Sequence, residues 1–286
     1  MSSIVSATIR DLMPELPEAE TIVRDLRARV PGGIVSSVSV KHADLLHKGL
    51  TPRELDRRLR GRQLTGVSRR GKNVVLEFDE GLRLVVNLGM TGRVVTSDAA
   101  RAGELRHIAV VLHLTDGRAV LYDDARRFGD IDLRDEAGWT ERTAELGVEP
   151  LSDDFTADVM HALTRTSITP IRNFLLDQKR LAGVGNIYAI EALHRAGIRP
   201  TRRAHTLTRR ETARLRDTLR EVLQESIDAR GTTISDYRDA SGNPGNFDRW
   251  LRVYDRAGEP CRECRTPVKR VVLSNRSAFY CPQCQK

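Results

Sequence analysis

The chain has 286 residues, of which 40% are hydrophobic and 30% charged, a composition that predicts about two packed domains and excludes a disordered chain. Its 47 Lys and Arg residues outnumber its 39 Asp and Glu residues, and the resulting charge of +8 favours a polyanionic partner. No apolar run is long enough to span a bilayer, and residues 1–12 do not read as a secretory signal, so we expect a cytoplasmic protein.

The first predicted element is a helix over residues 17–30. Its first turn carries the carboxylates of Glu18 and Glu20, which suit the positive end of the helix dipole. Its apolar positions recur with helical spacing at Ile22, Val23, Leu26 and Val30.

Four strand-like segments follow, separated in pairs by tight turns. They span residues 73–78, 82–86, 108–114 and 119–122, and the turns are Glu80-Gly81 and Asp116-Gly117. Short strands joined in this way predict an antiparallel sandwich or barrel.

The pattern changes from strands to helices at residues 146–154, which we interpret as a linker. Downstream, Thr208 and Glu211 predict a capping box at the start of a helix that Gly231 can end. The apolar face of this helix comprises Leu215, Leu219, Val222, Leu223 and Ile227. Residues 231–247 are rich in Gly, Ser, Asn and Asp, which predicts an exposed loop.

The four cysteines of the chain lie near its end, with the spacing C-x2-C-x16-C-x2-C. This spacing is typical of a tetrathiolate site for one structural zinc ion, because each C-x2-C pair can direct two thiolates at one point. The hairpin predicted between the pairs is too short to fold without the metal. Four unrelated core cysteines, or disulfides, are the less favoured alternatives. The ligands would be Cys261, Cys264, Cys281 and Cys284.

Three motifs occur in order along the chain. They are Met-Pro-Glu-Leu-Pro-Glu at residues 13–18, Gly-Val-Gly-Asn-Ile-Tyr-Ala at residues 183–189 and Phe-Tyr-Cys-Pro-Gln-Cys-Gln-Lys at residues 279–286. Taken alone, the first is more simply an ordinary capped helix start. Together they make residues 13–286 resemble the bacterial formamidopyrimidine-DNA glycosylases, which are also AP lyases.

The resemblance implies an α+β fold in three parts. These are an N-terminal catalytic antiparallel β-sandwich with flanking helices at residues 13–146, a helical helix-two-turn-helix domain with a lesion-covering loop at residues 153–247, and a β-hairpin zinc finger at residues 251–286. It further implies a monomer with one structural Zn²⁺ that binds double-stranded DNA containing oxidised bases or abasic sites. It also implies no membrane partner and an association with the bacterial nucleoid. The loop at residues 232–247 resembles the one that covers the extruded base in the purine-specific branch of the family, which implies oxidised purines (8-oxoguanine and formamidopyrimidines) rather than the pyrimidines of the endonuclease VIII branch.

The resemblance assigns catalysis to Pro14, Glu15 and Lys72. The Pro14 nitrogen, as a free N-terminal amine, would attack the sugar and form a Schiff base that permits β,δ-elimination. An α-amino group titrates near 8, so roughly a tenth is unprotonated at neutral pH, against far less of a lysine. Glu15 would donate and accept protons, and Glu18 would support the helix start. Lys72 would contact a phosphate beside the lesion. Without the resemblance, Lys72 would be interpreted as a solvated lysine at the end of a strand.

An enzyme that acts on a base inside a duplex must extrude it and fill the gap. By resemblance, Met90, Arg126 and Phe128 would fill it. Met90 and Phe128 taken singly are more often core residues, but the glycine-rich loop and the doubled arginine predict exposure. The family usually has histidine where Asn87 stands, which puts that phosphate contact in doubt.

Backbone phosphates would be held by Asn186 in the helix-two-turn-helix element and by Arg276 in the zinc hairpin, with Arg172 assisting. Such contacts position DNA without reading its sequence.

Pro14 is preceded by thirteen residues in the printed sequence, and its nitrogen is then a tertiary amide that cannot form an iminium. We expect translation to start at Met13, so that residues 1–12 are absent from the mature enzyme. The alternatives are cleavage of the extension and a catalytically silent protein that binds damaged DNA. A zinc-ribbon transcription factor fits the charge and the cysteines but leaves the acidic N-terminal motif without a role.

Overall fold

The computed structural model describes residues 13–98, 105–233 and 237–286. The chain forms two compact units, one from residues 13–145 with 227–246 and the other from residues 146–226 with 247–286. The extension at residues 1–12 lies outside the described residues, and the predicted three-domain division stays a prediction. Among the described residues, no helix has the length and apolarity to cross a membrane.

The first unit is built on two four-stranded antiparallel sheets. Its helices are α1 (Leu16–Arg27), α2 (Pro52–Leu59) and α3 (Glu136–Ala144). Its strands are β1 (Val35–Val40), β2 (Leu64–Arg70), β3 (Asn73–Phe78), β4 (Arg83–Asn87), β5 (Arg93–Thr96), β6 (Ile108–Leu114), β7 (Ala119–Asp123) and β8 (Asp130–Arg134). The sheet orders are β1-β6-β7-β5 and β2-β3-β4-β8.

An apolar cluster joins the two sheets, α1 and α2. Alternate residues of β3, Val74, Leu76 and Phe78, belong to this cluster, because successive side chains of a strand point to opposite faces. The apolar stripe of α1 completes the cluster, with Ile22 and Leu26 fully buried. Helix α1 packs against β2, β3 and β5, so the core fixes the position of the helix that Pro14 precedes.

The second unit is helical and ends in a two-stranded hairpin. Its elements are α4 (Ala157–Arg165), α5 (Ile171–Leu176), α6 (Asn186–Arg195), α7 (Arg209–Asp228), β9 (Lys269–Leu273) and β10 (Arg276–Tyr280), and the last two residues of α7 belong to the first unit. The capping box predicted for α7 is confirmed, since Glu211 accepts from the Thr208 N–H at 2.8 Å and Thr208 Oγ1 accepts from the Glu211 N–H at 3.3 Å.

A buried carboxylate fixes the chain that leads into the hairpin. Glu191 of α6 is fully buried, and its two oxygens accept three consecutive backbone N–H groups, of Arg252, Val253 and Tyr254, at 2.8–3.0 Å. Because a buried charge needs such partners, this arrangement anchors the terminal module to the helical unit. The predicted α+β fold with antiparallel sheets is confirmed.

Candidate catalytic and nucleic-acid binding site

Pro14 is buried and lies directly before the first residues of α1. Glu15 is the N-cap of this helix, and Leu16 and Pro17 form its first turn. The Glu15 side chain accepts from the Glu18 backbone, and Glu18 Oε2 accepts from the Glu15 N–H at 2.8 Å. This reciprocal capping box satisfies two N–H groups that a helix start would otherwise leave unpaired, and it holds a carboxylate beside Pro14.

Glu18 also joins α1 to the segment that follows α7. Its Oε1 accepts from the Thr232 N–H at 2.8 Å, and its carbonyl accepts from the Tyr237 hydroxyl at 3.4 Å. Burial, and then the nearby Glu18 charge, raise the pKa of Tyr237 well above its ordinary value, so its hydroxyl stays a donor. Gly231 has φ 86°, and a Cβ there would lie 3.1 Å from Glu18 Oε1, so glycine lets the chain pass this carboxylate.

The loop at residues 232–246 is organised around Asp239, whose side chain is fully buried. Asp239 Oδ1 accepts from the N–H groups of Ser241 and Asn243, each at 2.9 Å, and Oδ2 pairs with Arg230. Arg230 also pairs with Asp25 of α1. Residues 234–236 of the predicted lesion-covering loop lie outside the described residues.

Lys72 lies in the tight turn between β2 and β3, next to Gly71 with φ 59°. The turn is tied to α1 through Arg69, whose Nη1 donates to the Gly71 carbonyl at 2.8 Å and whose Nε donates to Glu20 Oε2 at 3.1 Å. The first unit therefore places the Lys72 turn and the helix that follows Pro14 in one hydrogen-bonded framework. Glu20 also accepts from Arg24 Nε at 3.1 Å, four residues along α1, whereas its contact with Arg69 joins residues 49 apart and has no local sequence signal.

The candidate gap-filling residues lie on two loops, residues 87–92 and 124–129. The predicted exposure is confirmed for Phe128, which is 56% exposed and whose ring centre lies 5.0 Å from the guanidinium of the exposed Arg126. It is wrong for Met90, which is 4% exposed; burial of an apolar side chain away from water is favourable. Asn87 is the last residue of β4; its Nδ2 donates to Asn73 Oδ1 at 3.1 Å, and its Oδ1 accepts from the Gly89 N–H at 3.0 Å.

In the second unit, Asn186 and Arg172 both contact the terminal hairpin. Asn186 Nδ2 donates to the Ser277 carbonyl at 2.9 Å, and the Arg172 guanidinium donates to the carbonyls of Leu273 at 3.2 Å and Ser277 at 3.4 Å. Asn186 is 2% exposed and Arg172 is 1% exposed. These contacts fix the hairpin that carries Arg276, while contact with phosphate by either residue stays a prediction.

Arg276 follows a two-residue turn. Ser274 and Asn275 have φ of 45° and 60°, and Leu273 pairs with Arg276 across the hairpin. Positive φ at both central residues is the conformation that matches the twist of antiparallel strands. The hairpin thus presents Arg276 at its tip.

The four cysteines come together as the spacing predicts. The sulfur pairs Cys264–Cys281 and Cys264–Cys284 are 3.4 Å apart, and the Cys261–Cys284 pair is 4.0 Å apart. A tetrahedral ion with Zn–S bonds of about 2.3 Å needs sulfurs about 3.8 Å apart, so the cluster fits one zinc ion. Hydrogen bonds from Thr266 lower the pKa of Cys264 to about 6, which favours the thiolate that a metal binds.

Family models match almost all of the chain outside its first twelve residues. The formamidopyrimidine-DNA glycosylase N-terminal domain matches residues 13–131, the H2TH domain of the same enzymes matches residues 146–238, and the zinc finger found in FPG and IleRS matches residues 258–286. The three matches occur in the order of the three sequence motifs.

Relatives and solved structures cover nearly the full length. The formamidopyrimidine-DNA glycosylases of Thioalkalivibrio sulfidiphilus and Pelotomaculum thermopropionicum are 45% and 42% identical, each over 96% of this chain and 100% and 99% of their own. The MutM (FPG) structure from Thermus thermophilus is 38% identical, with a TM-score of 0.83 over 95% of this chain and 98% of that one. The Lactococcus lactis Fpg complex with abasic-site DNA is 30% identical, with a TM-score of 0.84 over 95% and 99%.

Proposed function

The chain belongs to the formamidopyrimidine-DNA glycosylase family, and on that premise we propose that Pro14 is the nucleophile of a base excision repair reaction on oxidised purines. As a member of this family, it is a DNA glycosylase with AP lyase activity that acts on damaged double-stranded DNA. The observation that carries the assignment is the capping box, which holds the Glu15 carboxylate at the N-cap directly after Pro14.

The chemistry needs an unprotonated amine and a nearby proton donor. The Pro14 nitrogen attacks the deoxyribose C1′, the bond from C1′ to the base breaks, and the base leaves with a proton. Glu15 protonates the ring oxygen O4′, so that the sugar opens to a cationic iminium. Loss of a C2′ proton then expels the 3′ phosphate, and a second elimination expels the 5′ phosphate. Zinc takes no part in these steps; when bound by the four cysteines it folds the terminal module.

Lys72, Arg276 and Asn186 are proposed to hold the DNA backbone. Lys72 lies in the turn tied to α1 by Arg69, and Arg276 lies at the tip of the zinc hairpin. Both positions suit phosphate contact, which supplies affinity without reading sequence. The proposed role of Arg172 is to assist by holding the hairpin carbonyls.

Met90, Arg126 and Phe128 are proposed to fill the gap left by the extruded nucleotide. The exposed pair of Arg126 and Phe128 is available for this in the structure, whereas Met90 must leave its buried position. The loop at residues 232–247 is proposed to cover the extruded base, which favours 8-oxoguanine and formamidopyrimidines. A solved structure of a Lactococcus lactis Fpg mutant contains Fapy-dG DNA, which supports this substrate class. We also propose that the protein associates with the bacterial nucleoid, because its substrate is DNA.

The proposal requires that the Pro14 nitrogen be free. The family match begins at residue 13, and the relatives cover 96% of this chain, which supports Met13 as the start of the active form. If residues 1–13 stay attached, the tertiary amide at Pro14 permits DNA binding without catalysis.

Borohydride trapping distinguishes the two outcomes. We compare a protein expressed from Met13, with the methionine removed, against the 286-residue chain carrying Met13→Leu, which prevents internal initiation. On an 8-oxoguanine duplex, we expect a covalent adduct only for the first protein, with both proteins binding the duplex. An adduct on the longer protein would refute Pro14 as nucleophile, and binding without any adduct on either would favour the silent DNA-binding protein.

A further inference from the structure

Asp124 lies at the start of the loop that carries Arg126 and Phe128, and its side chain is 1% exposed. Four donors surround its two carboxylate oxygens. Oδ1 accepts from the Thr91 hydroxyl at 2.5 Å and from the Arg126 N–H at 3.2 Å, and Oδ2 accepts from the Gly129 N–H at 3.0 Å and the Tyr122 hydroxyl at 3.1 Å. The 2.5 Å distance from the Thr91 hydroxyl is within the range expected when a hydroxyl donates to a charged carboxylate.

The donors come from both candidate gap-filling loops. Thr91 directly follows Met90 on one loop, while Arg126 and Gly129 enclose Phe128 on the other. The Thr91 hydroxyl also accepts from the Arg126 N–H at 3.1 Å. One buried carboxylate therefore bonds directly to the residues that flank each apolar side chain proposed to enter the duplex.

The two loops also touch along their backbones, and glycines make this possible. A Cβ on Gly89 would lie 2.4 Å from the Phe128 carbonyl carbon, and a Cβ on Gly129 would lie 1.8 Å from the Tyr122 hydroxyl. No side chain fits at either position. The Tyr122 hydroxyl lies between the loops, 3.1 Å from Asp124 Oδ2 and 3.5 Å from the Asn87 carbonyl.

Two further features, the backbone of Arg127 and the hydroxyl of Tyr122, indicate that Asp124 holds the two loops in this arrangement. Arg127 has φ 54°, a left-handed conformation that is unfavourable for a non-glycine residue, and Asp124 bonds to N–H groups on both sides of it. Burial, and then the Asp124 charge, raise the pKa of Tyr122 far above its ordinary value, so the phenol remains a donor to Asp124.

We propose that Asp124, through Thr91 and Tyr122, is a positioning residue that locks the loops at residues 87–92 and 124–129 into one unit, so that Met90, Arg126 and Phe128 enter the duplex together. This rests on the proposed gap-filling roles and adds the residue that coordinates them. Asp124 contacts neither DNA nor the reacting atoms; it acts on the loops.

The consequence separates two reactions of the same enzyme. Extruding 8-oxoguanine from a duplex requires the wedge, whereas cleaving an abasic site in a single strand leaves no gap to fill. Loss of the lock should therefore slow duplex excision and spare single-strand cleavage.

The test uses the Met13-start protein and the pair Thr91→Val and Thr91→Ser. Valine removes the hydroxyl that joins the loops and keeps the branched shape, while serine keeps the hydroxyl. We expect Thr91→Val to slow duplex excision roughly 10- to 100-fold, as loss of a hydrogen bond to a charged group implies, and to leave single-strand abasic cleavage within about twofold. Thr91→Ser should restore excision, which a purely structural loss would not predict.

A fluorescence measurement and a control variant complete the experiment. The fluorescence of 2-aminopurine next to the lesion reports base unstacking. We expect this fluorescence to rise more slowly in Thr91→Val and in Asp124→Asn. In Asp124→Asn, the side-chain N–H₂ would face other hydrogen-bond donors. Asp116→Asn, an acid in the exposed turn between β6 and β7 of the same unit, is the matched control. Equal loss of both reactions in Thr91→Val, or wild-type excision in that variant, would overturn the proposal. A wild type that forms no trapped adduct would instead overturn the proposed function.

Discussion

Glu18 provides the most quantitative test of the framework around Pro14. Its carboxylate is 2% exposed and accepts two backbone N–H groups at 2.8 Å, one from Glu15 and one from Thr232. A buried amide that loses its acceptor costs about 1–3 kcal/mol. Glu18→Gln keeps one acceptor oxygen and turns the other into a donor, so it should cost about 1–3 kcal/mol. Glu18→Ala removes both acceptors and should cost about 2–6 kcal/mol.

Urea unfolding at neutral pH measures these differences, and hydrogen exchange at the amides of Glu15 and Thr232 shows where they arise. We expect faster exchange at one of the two amides in Glu18→Gln and at both in Glu18→Ala. Glu136→Gln is the control, because this carboxylate is 68% exposed and pairs only at the surface of the same unit, where such a pair contributes about 0–1 kcal/mol. Equal stability of Glu18→Ala and the control would refute the reasoning.

Three other predictions concern the DNA contacts, the metal and pH. Lys72→Ala and Arg276→Ala should each reduce the slope of log K against log salt by about 0.9, with little change for different undamaged sequences; an unchanged slope would contradict the assigned phosphate contacts. Chelation of zinc, or Cys264→Ser, should unfold the hairpin and weaken DNA binding, as circular dichroism and titration of the same sample would show. Arg202 lowers the pKa of Glu211 to about 2, whereas the group titrates near 4.5 in the unfolded chain. Glu211→Gln should therefore lower the free energy of unfolding by a constant amount above about pH 5, and the difference in stability from wild type should shrink as the pH falls toward about 2. A constant difference down to about pH 3 would exclude that linkage.

The four strands predicted in the first unit match β3, β4, β6 and β7 within a residue. β3 and β6 have the predicted bounds, since each is an apolar run bordered by turn residues. β1, β2, β5 and β8 were missed. Serines and Gly66 dilute the apolar pattern of β1 and β2, and only pairing with a neighbour makes them strands. The cysteine cluster was predicted from spacing alone.

The candidate site was predicted less evenly. Pro14 and Glu15 carry a motif, and the local capping box follows from residue types three apart. The buried state of Met90 could not be predicted, because the glycine-rich sequence around it gives no local signal of burial. The contacts of Asp124 with Thr91 and of Glu20 with Arg69 could not be predicted either, because each joins residues far apart in sequence that only the fold brings together.

The central claim is that the Pro14 nitrogen forms the Schiff base, and peptide mapping of the borohydride-trapped adduct tests it most directly. Trypsin should release residues 14–24 as one peptide from the Met13-start protein, and after nuclease digestion we expect the mass of the reduced sugar on this peptide. The competing amine is Lys72, whose modification would block cleavage and yield residues 71–83 with the added mass. Sugar mass on residues 14–24 with none on residues 71–83 would support Pro14, and the reverse would contradict it.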